Sequence, residues 1–398
     1  ADGSVIVFFS KADNLVNFPT DDNGVEDIFV YDLKAAFLSR IVNLNTLEGG
    51  NGASLYPDVN EDGSVIVFES QATNLTESTL SSGRRIFYYQ SAINGTPIIT
   101  SLNETANNSS YSPSISDDGK KVVYASDASN LVSGDTNGQS DIFLFDIDKN
   151  ATFFASLNKQ NQLASGGASD QPVISGDGTT IAYRSKATNL VQEKGISLIE
   201  VKNGGVGYFG NPTLVVTDLN TTGSGAILEF ETDAIDQYGQ ILPDSIRIVN
   251  HGENYTLPFI SVIPDPSQPS PLEVAEIKAH LRHPLGEIYS ISTADVLNES
   301  ASSQRKYSTR LSENSDKIGG DQESREPSIS INGNVVAFST KASNFLDENV
   351  TRDDGEVFYN SPISAAEANA ILSGGIGEIE VQNPGSGYQN GFLFINDV

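Results

Sequence analysis

Cysteine, methionine and tryptophan are all missing from the 398 residues. Without cysteine there are no disulfides, no thiolate metal sites and no cysteine nucleophile. The fold must be held by its core, by metals or by closure on itself. Basic residues are scarce: 23 Lys and Arg stand against 52 Asp and Glu, and 23 − 52 = −29. Binding nucleic acid or anionic lipid rests on basic side chains that neutralise phosphates, so neither is expected as a partner. Such a surface suits cations. Long hydrophobic runs are missing as well. No stretch reaches the ~18 apolar residues that span a bilayer, so no membrane insertion is expected. No signal peptide is visible, and a chain that starts at Ala1 reads as processed or as part of a longer one.

What is present is repetition. "DGSVIVFFSKADNLV" at Asp2 returns as "DGSVIVFESQATNLT" at Asp62, "DGKKVVYASDASNLV" at Asp118, "DGTTIAYRSKATNLV" at Asp177 and "NGNVVAFSTKASNFL" at Asn332. The spacings are 60, 56, 59 and 155, the last being one period plus an insertion of about 95 residues. Each copy holds four strand signals. A short strand is expected after a proline (Pro57, Pro113, Pro172, Pro327). An Asp-Gly or Asn-Gly hairpin turn leads to an almost wholly apolar strand, the pattern of a strand covered on both faces. A loop leads to a third strand, as in "DIFVYD", "RIFYYQ", "DIFLFD", "EIYSIS" and "EVFYNS", and a weaker fourth ends near Leu-Asn.

Four antiparallel strands per ~58 residues with no helical period predict an all-β chain: a β-propeller of four-stranded blades, at least five of them visible. Asn14, Asn74, Asn130, Asn189 and Asn344 recur after the second strand, and Asn tolerates left-handed backbone and caps its own turn. The residue that follows (Leu15, Leu75, Leu131, Leu190, Phe345) is expected to plug the gap between blades. The string "PSISDDGKKVVYASDASNLVSGDTNGQSDIFLFDID" resembles the TolB-like, WD40-like (PD40-type) propeller repeat of bacterial periplasmic and secreted proteins. The resemblance covers about three quarters of the chain; it implies the fold and leaves the function open.

The expected divisions are 1–194 (three blades and half of a fourth), 195–283 (an inserted β module), 284–370 (the rest of blade four, and blade five) and 371–398 (the start of a second module). Within the insertion, "IEVKNGGVGYFGNPTLVVT" at 199–217 is echoed by "IRIVNHGENYTLPFISVIP" at 246–264, and a third copy starts at Ile379. These segments are similar to the Gly-Ser-Gly-Tyr β modules of marine bacterial surface proteins and phage structural proteins. Blade one begins without its first strand, so further blades, or strands of another chain, are expected to complete a ring.

Few residues point to chemistry. "DTNGQSD" offers Asp135, Asn137 and Asp141, and "DDNGVED" offers Asp21, Asn23 and Asp27, both oxygen-rich in the way Ca²⁺ requires. Blade two has Arg84 and Arg85 there, which repel a cation. The other reading of these loops is an Asx/Gly turn that feeds the third strand. "GVGYFG" at 205–210 matches a dinucleotide fingerprint, but a strand rather than a helix follows it. Glu276, His280 and His283 would share one face of a short helix, too sparse a set for more than a weak zinc signal. No G-x-S-x-G elbow occurs, and with 52 acids, acidic pairs carry no signal. The expected role is therefore non-catalytic: a structural or binding protein on a cell surface or virion, offering loops and modules to a protein or glycan partner or to neighbouring copies. The alternative is a secreted hydrolase or lyase with acids in the propeller channel.

Overall fold

In the computed structural model, five successive sheets form blades of one propeller-like array. The structure describes residues 3–17, 21–77, 83–91, 97–158, 162–191, 195–196, 198–221, 223–253, 255, 257–281, 285–297, 307–313, 319–320, 322–342, 345, 356–360, 367–372 and 376–383, with backbone alone from residue 356 onward. Blade one holds β1 (Val5–Ser10), β2 (Asp27–Asp32) and β3 (Phe37–Arg40). Blade two holds β4 (Ser54–Val59), β5 (Val65–Ser70), β6 (Arg85–Gln90) and β7 (Ile98–Ser101). Blade three holds β8 (Ser110–Ile115), β9 (Lys121–Ser126), β10 (Asp141–Asp146) and β11 (Ala151–Phe154).

Blade four opens with β12 (Ser169–Ile174) and β13 (Thr180–Ser185) and is then interrupted. Six strands of the insertion follow: β14 (Leu198–Asn203), β15 (Thr213–Asp218), β16 (Ser224–Phe230), β17 (Ile246–Glu253), β18 (Pro258–Ile263) and β19 (Glu276–His280). The blade resumes with β20 (Glu287–Ser292), the short helix α1 (Thr293–Val296) and β21 (Thr309–Arg310). β13 pairs with β20 in unbroken register across the insertion, from Thr180 opposite Ser292 to Ser185 opposite Glu287. Blade five holds β22 (Ser324–Ile329), β23 (Val336–Thr340) and β24 (Glu356–Asn360); β25 (Glu367–Leu372) and β26 (Ile376–Asn383) form a separate hairpin.

The second and third strands are the most deeply buried, which explains their nearly unbroken apolar runs. All six residues of β5 and of β10 are buried. One aromatic pair stacks across these strands in each of four blades: Phe8–Phe29, Phe68–Phe87, Tyr124–Phe143 and Tyr183–Tyr289, with ring centroids 5.5 to 5.9 Å apart. The cores lie between blades, not within them. Ile28 of blade one packs with Phe68, Leu75 and Phe87 of blade two, and Ala182 and Ile288 of blade four pack with Phe338 and Phe345 of blade five. A single blade would leave these faces in water, so each depends on its neighbour.

Three local expectations change. The recurrent prolines do not precede the first strand; they lie inside it, at a bulge. Proline has no N–H to give to a ladder, and a bulge is where a strand spares one. The residue before each proline (Tyr56, Ser112, Gln171, Glu326) has a left-handed backbone, with φ from +48° to +54°. The recurrent asparagines are not left-handed where described, and the bonds of three of them leave their own turns. Asn74, Asn130 and Asn189 clasp the segment arriving from the previous blade. Asn74 Nδ2 donates to Gly49 O at 3.0 Å while its Oδ1 accepts from Asn51 N at 2.8 Å. Asn130 does the same with Thr105 and Asn107, and Asn189 with Leu163 and Ser165; Asn344 lies outside the described residues. Leu75, Leu190 and Phe345 are buried between blades and Leu131 packs partly against the core between blades two and three, but Leu15 is 37% exposed because no described sheet covers it.

Candidate functional site

The third strand of each blade begins with a charged residue: Asp27, Arg85, Asp141, Glu287 and Glu356. The first four are buried. A charge in such a place must be neutralised or hydrogen-bonded. Strand register makes the solutions comparable, because Phe29 lies opposite Arg40, Phe87 opposite Ser101, Phe143 opposite Phe154 and Tyr289 opposite Arg310.

In blade one the loop before β2 carries Asp21, Asn23 and Asp27 together, as the sequence suggested. Asn23 Oδ1 accepts from Val25 N at 3.0 Å, while its Nδ2 donates to Asp27 Oδ2 and to Gly50 O, both at 2.8 Å. The cation between the two aspartates is a side chain. Arg40 Nη1 lies 2.7 Å from Asp21 Oδ1 and 3.0 Å from Asp27 Oδ2. The calcium expected from Asp21, Asn23 and Asp27 thus meets a guanidinium already in place. Gly49 leaves room for it: a Cβ there would lie 2.9 Å from Arg40 Nη1.

Blade four repeats the arrangement with Glu287, Arg310 and the pair Gly319-Gly320. A Cβ on Gly319 would meet both Glu287 Oε1 and Arg310 Nη1, so acid and base converge on that glycine. Blade two reverses the charge. Arg85 stands at the strand start and donates to Arg84 O at 2.9 Å, Asn108 O at 3.1 Å and Ala106 O at 2.8 Å, hooking the linker to the next blade.

Blade three keeps the acids and loses the base. Asn137 copies Asn23 bond for bond: Oδ1 accepts from Gln139 N at 2.8 Å, and Nδ2 donates to Asp141 Oδ2 and Ala164 O, both at 2.7 Å. Asp141 Oδ1 accepts from Ser156 Oγ at 2.8 Å. Phe154 stands where blade one has Arg40, and Leu163 where it has Gly49. Among the described residues no ion pair reaches Asp135 or Asp141. Asp135 is 8% exposed, and its Oδ1 is buried with no hydrogen-bond partner. Burial pushes the Asp141 carboxyl up to about 6; bonds from Asn137 and Ser156 pull it down, and the Asp135 charge pushes it further up. Burial raises the Asp135 carboxyl as well, while a hydrogen bond from the Asn137 amide pulls it down. Among the described residues no three Asp, Glu or His side chains gather in one metal-binding group.

On the first and second strands some acids are paired with arginine, whereas Asp58 accepts from the Ile115 and Val59 amides, each at 2.9 Å, and burial raises its carboxyl. Arg184 forks onto Asp170 with two contacts of 2.8 Å and reaches Glu323 at 3.0 Å. Glu69 lies 3.0 Å from Arg84 and accepts from Ser112 N at 2.9 Å, although burial still raises its carboxyl.

The insertion has its own core of Tyr208, Leu228, Ile241, Ile260 and Ile277. Its two halves use the same Asn-x-Gly-x-x-Tyr device. Asn203 Oδ1 accepts from Gly205 N and Asn250 Oδ1 from Gly252 N, each at 2.9 Å. Tyr208 Oη accepts from Ala275 N at 3.1 Å, and Tyr255 Oη from Ala226 N at 3.2 Å. The glycines of "GVGYFG" thus shape a turn beneath a buried tyrosine. Glu276 and His280 lie on a strand rather than a helix, and His280 Nε2 is 2.9 Å from Glu200; His283 lies outside the described residues. Several apolar side chains of the module face water, among them Val215, Ile227 and Phe259, each 42% exposed or more.

No protein-family model and no curated protein matches the chain. Solved structures resemble it distantly. A TolB structure from Agrobacterium tumefaciens is 12% identical, with 89% of this chain and 73% of that chain covered and a TM-score of 0.36. The β-propeller domain of the Trilobed protease from Pyrococcus furiosus is 12% identical over 97% and 82%, with a TM-score of 0.32. Oligogalacturonate lyase from Vibrio parahaemolyticus is 9% identical over 85% and 83%, with a TM-score of 0.29. Scores this low carry no argument about function, and the blade architecture rests on the strand pairings above.

Proposed function

We propose that the chain is a non-catalytic extracellular binding and structural protein: a propeller scaffold on a cell surface or virion that offers its loops and inserted module to a protein or glycan partner. The observation that carries this is the state of the inner-strand acids. A hydrolase or lyase in the channel needs carboxylates free to take or give a proton. Here Asp170 and Glu323 share Arg184, Glu69 is held by Arg84 and the Ser112 amide, and Asp58 by the Ile115 and Val59 amides. The second support is the module. It folds around a core of its own between two paired blade strands, so it adds surface without disturbing the scaffold.

The test has two arms on the full chain. Incubation with a panel of polysaccharides and peptides is expected to release no reducing ends, no unsaturated uronides and no new amines. Binding to a glycan array and to a surface of the same chain is then compared with a variant in which residues 198–280 are replaced by a short Gly-Ser turn. Binding that is lost with the module supports the reading. Turnover that Arg184→Ala or Asp170→Asn abolishes would overturn it in favour of the channel enzyme.

A further inference from the structure

We propose that the loop before β10 is a cation site for one Ca²⁺ per chain, held by Asp135 and Asp141 in blade three and absent from the matching loop of blade one.

The argument is an internal comparison. Residues 21–27 and 135–141 have the same spacing and the same asparagine scaffold, so Asp21 corresponds to Asp135 and Asp27 to Asp141. In blade one a positive charge sits between the pair, on Arg40. In blade four Arg310 stands at the same register, with a glycine again making space. The base and the glycine occur together in both blades and are lost together in blade three, where Phe154 and Leu163 stand at the corresponding positions. The two acids remain. Buried carboxylates with no basic partner are costly to keep charged.

Hydrogen bonds from Asn137 and Ser156 to Asp141, and from the Asn137 amide to Asp135, offset part of that cost, and a cation would offset the rest. Asp135 Oδ1 marks the place, since it is buried and accepts no hydrogen bond. In blade one a cation between the corresponding aspartates pairs with one oxygen of each. Only oxygen donors are at hand in this cysteine-free loop, which selects a hard cation. Two carboxylates from an irregular loop, completed by backbone carbonyls and water, suit the flexible shell of Ca²⁺ better than the strict octahedron of Mg²⁺. The site is independent of the binding role proposed above, and either can fail without the other.

The experiment is calorimetric titration of the EGTA-stripped full chain with CaCl₂ at pH 7.5, alongside thermal melts in EGTA and in Ca²⁺. One ion per chain is expected, with a rise in melting temperature. Asp135→Asn and Asp141→Asn should each weaken binding at least ten-fold, while Asp21→Asn leaves it unchanged. Asp141→Asn separates ligation from folding. It should melt above the wild type in EGTA, because a buried charge is gone, and below it in Ca²⁺. Installing the blade-one solution with Phe154→Arg and Leu163→Gly should abolish Ca²⁺ binding in a folded protein. No binding at millimolar Ca²⁺, binding that survives Asp135→Asn, or uptake of a single proton near pH 6 with no response to metal would overturn the proposal.

Discussion

Arg40 donates to Asp27 at 3.0 Å, thirteen residues away along the chain and fully inside blade one. The same nitrogen holds Asp21. Removing one partner of a buried ion pair leaves the other charge stranded, which costs about 3–5 kcal/mol, more than the pair itself contributes. Arg40→Met should therefore lower stability in urea titrations by that order at pH 7. The loss should shrink toward pH 5, because a stranded Asp27, whose carboxyl burial already raises, escapes the penalty by taking up a proton. A loss that stays constant across this range would mean that Arg40 acts through packing of its stem.

Asp141 makes the opposite kind of prediction. Its folded carboxyl titrates at about 6 against an unperturbed 3.8. The folded state therefore binds the proton more tightly than the unfolded chain. Stability is highest below the unfolded value and falls as pH rises through the folded one. In EGTA, wild-type stability should drop between pH 4 and pH 6, by up to about 3 kcal/mol for a shift of this size. Asp141→Asn should flatten that slope and exceed the wild type at pH 7, since the Ser156 hydroxyl can turn to accept from the new amide. Urea titrations at half-unit pH steps read this directly. A slope that persists in the variant would assign it to other carboxylates.

The asparagine clasps test where the blades are joined. Asn74 holds Gly49 and Asn51 of the incoming linker, and Asn130 holds Thr105 and Asn107. Each alanine replacement removes an acceptor and a donor that serve backbone groups, worth about 1–3 kcal/mol together. Asn74→Ala and Asn130→Ala should each destabilise by that order. Hydrogen exchange should quicken at Asn51 and Asn107, which lose their acceptors. If exchange changed only within residues 74–77 or 130–133, the asparagine would be a cap of its own turn after all.

That difference marks what the sequence could carry. The third strands were legible because burial on both faces leaves only apolar side chains, as in Ile142–Phe145. The interruption of blade four was legible because "TIAYRS" and "EIYSIS" each keep the strand pattern on either side of it. The recurrence of Asn74 and Asn130 was visible, but their partners lie more than twenty residues earlier, and recurrence does not say whether a side chain bonds near or far. The same holds for the prolines: Pro57 signals a missing N–H, and only strand pairing shows that a bulge absorbs it. The loop chemistry was half visible. "DDNGVED" and "DTNGQSD" look alike, and what separates them is Arg40 with Gly49-Gly50 against Phe154 with Leu163-Ala164. Those residues are distant in sequence and come together only once the blade has folded.

Tyr208 carries the last prediction, because it separates the module from the blades. Its hydroxyl accepts from Ala275 N, and its ring is 1% exposed in a core made only of module residues. Tyr208→Phe keeps the ring and strands one amide, at a cost of about 1–3 kcal/mol. Gly205→Ala is harsher: φ is +63°, and the new methyl would lie 2.6 Å from Glu273 O. Both changes should loosen β14 and β19 in hydrogen exchange and expose the module to proteolysis. β13 and β20 should stay protected, since their own ladder holds them. Tyr255→Phe should act likewise on β16 and β17 through Ala226. Were Tyr208→Phe to speed exchange in β13 as well, the module would be part of the blade-four folding unit, and replacing it with a short turn would no longer be a fair test of binding.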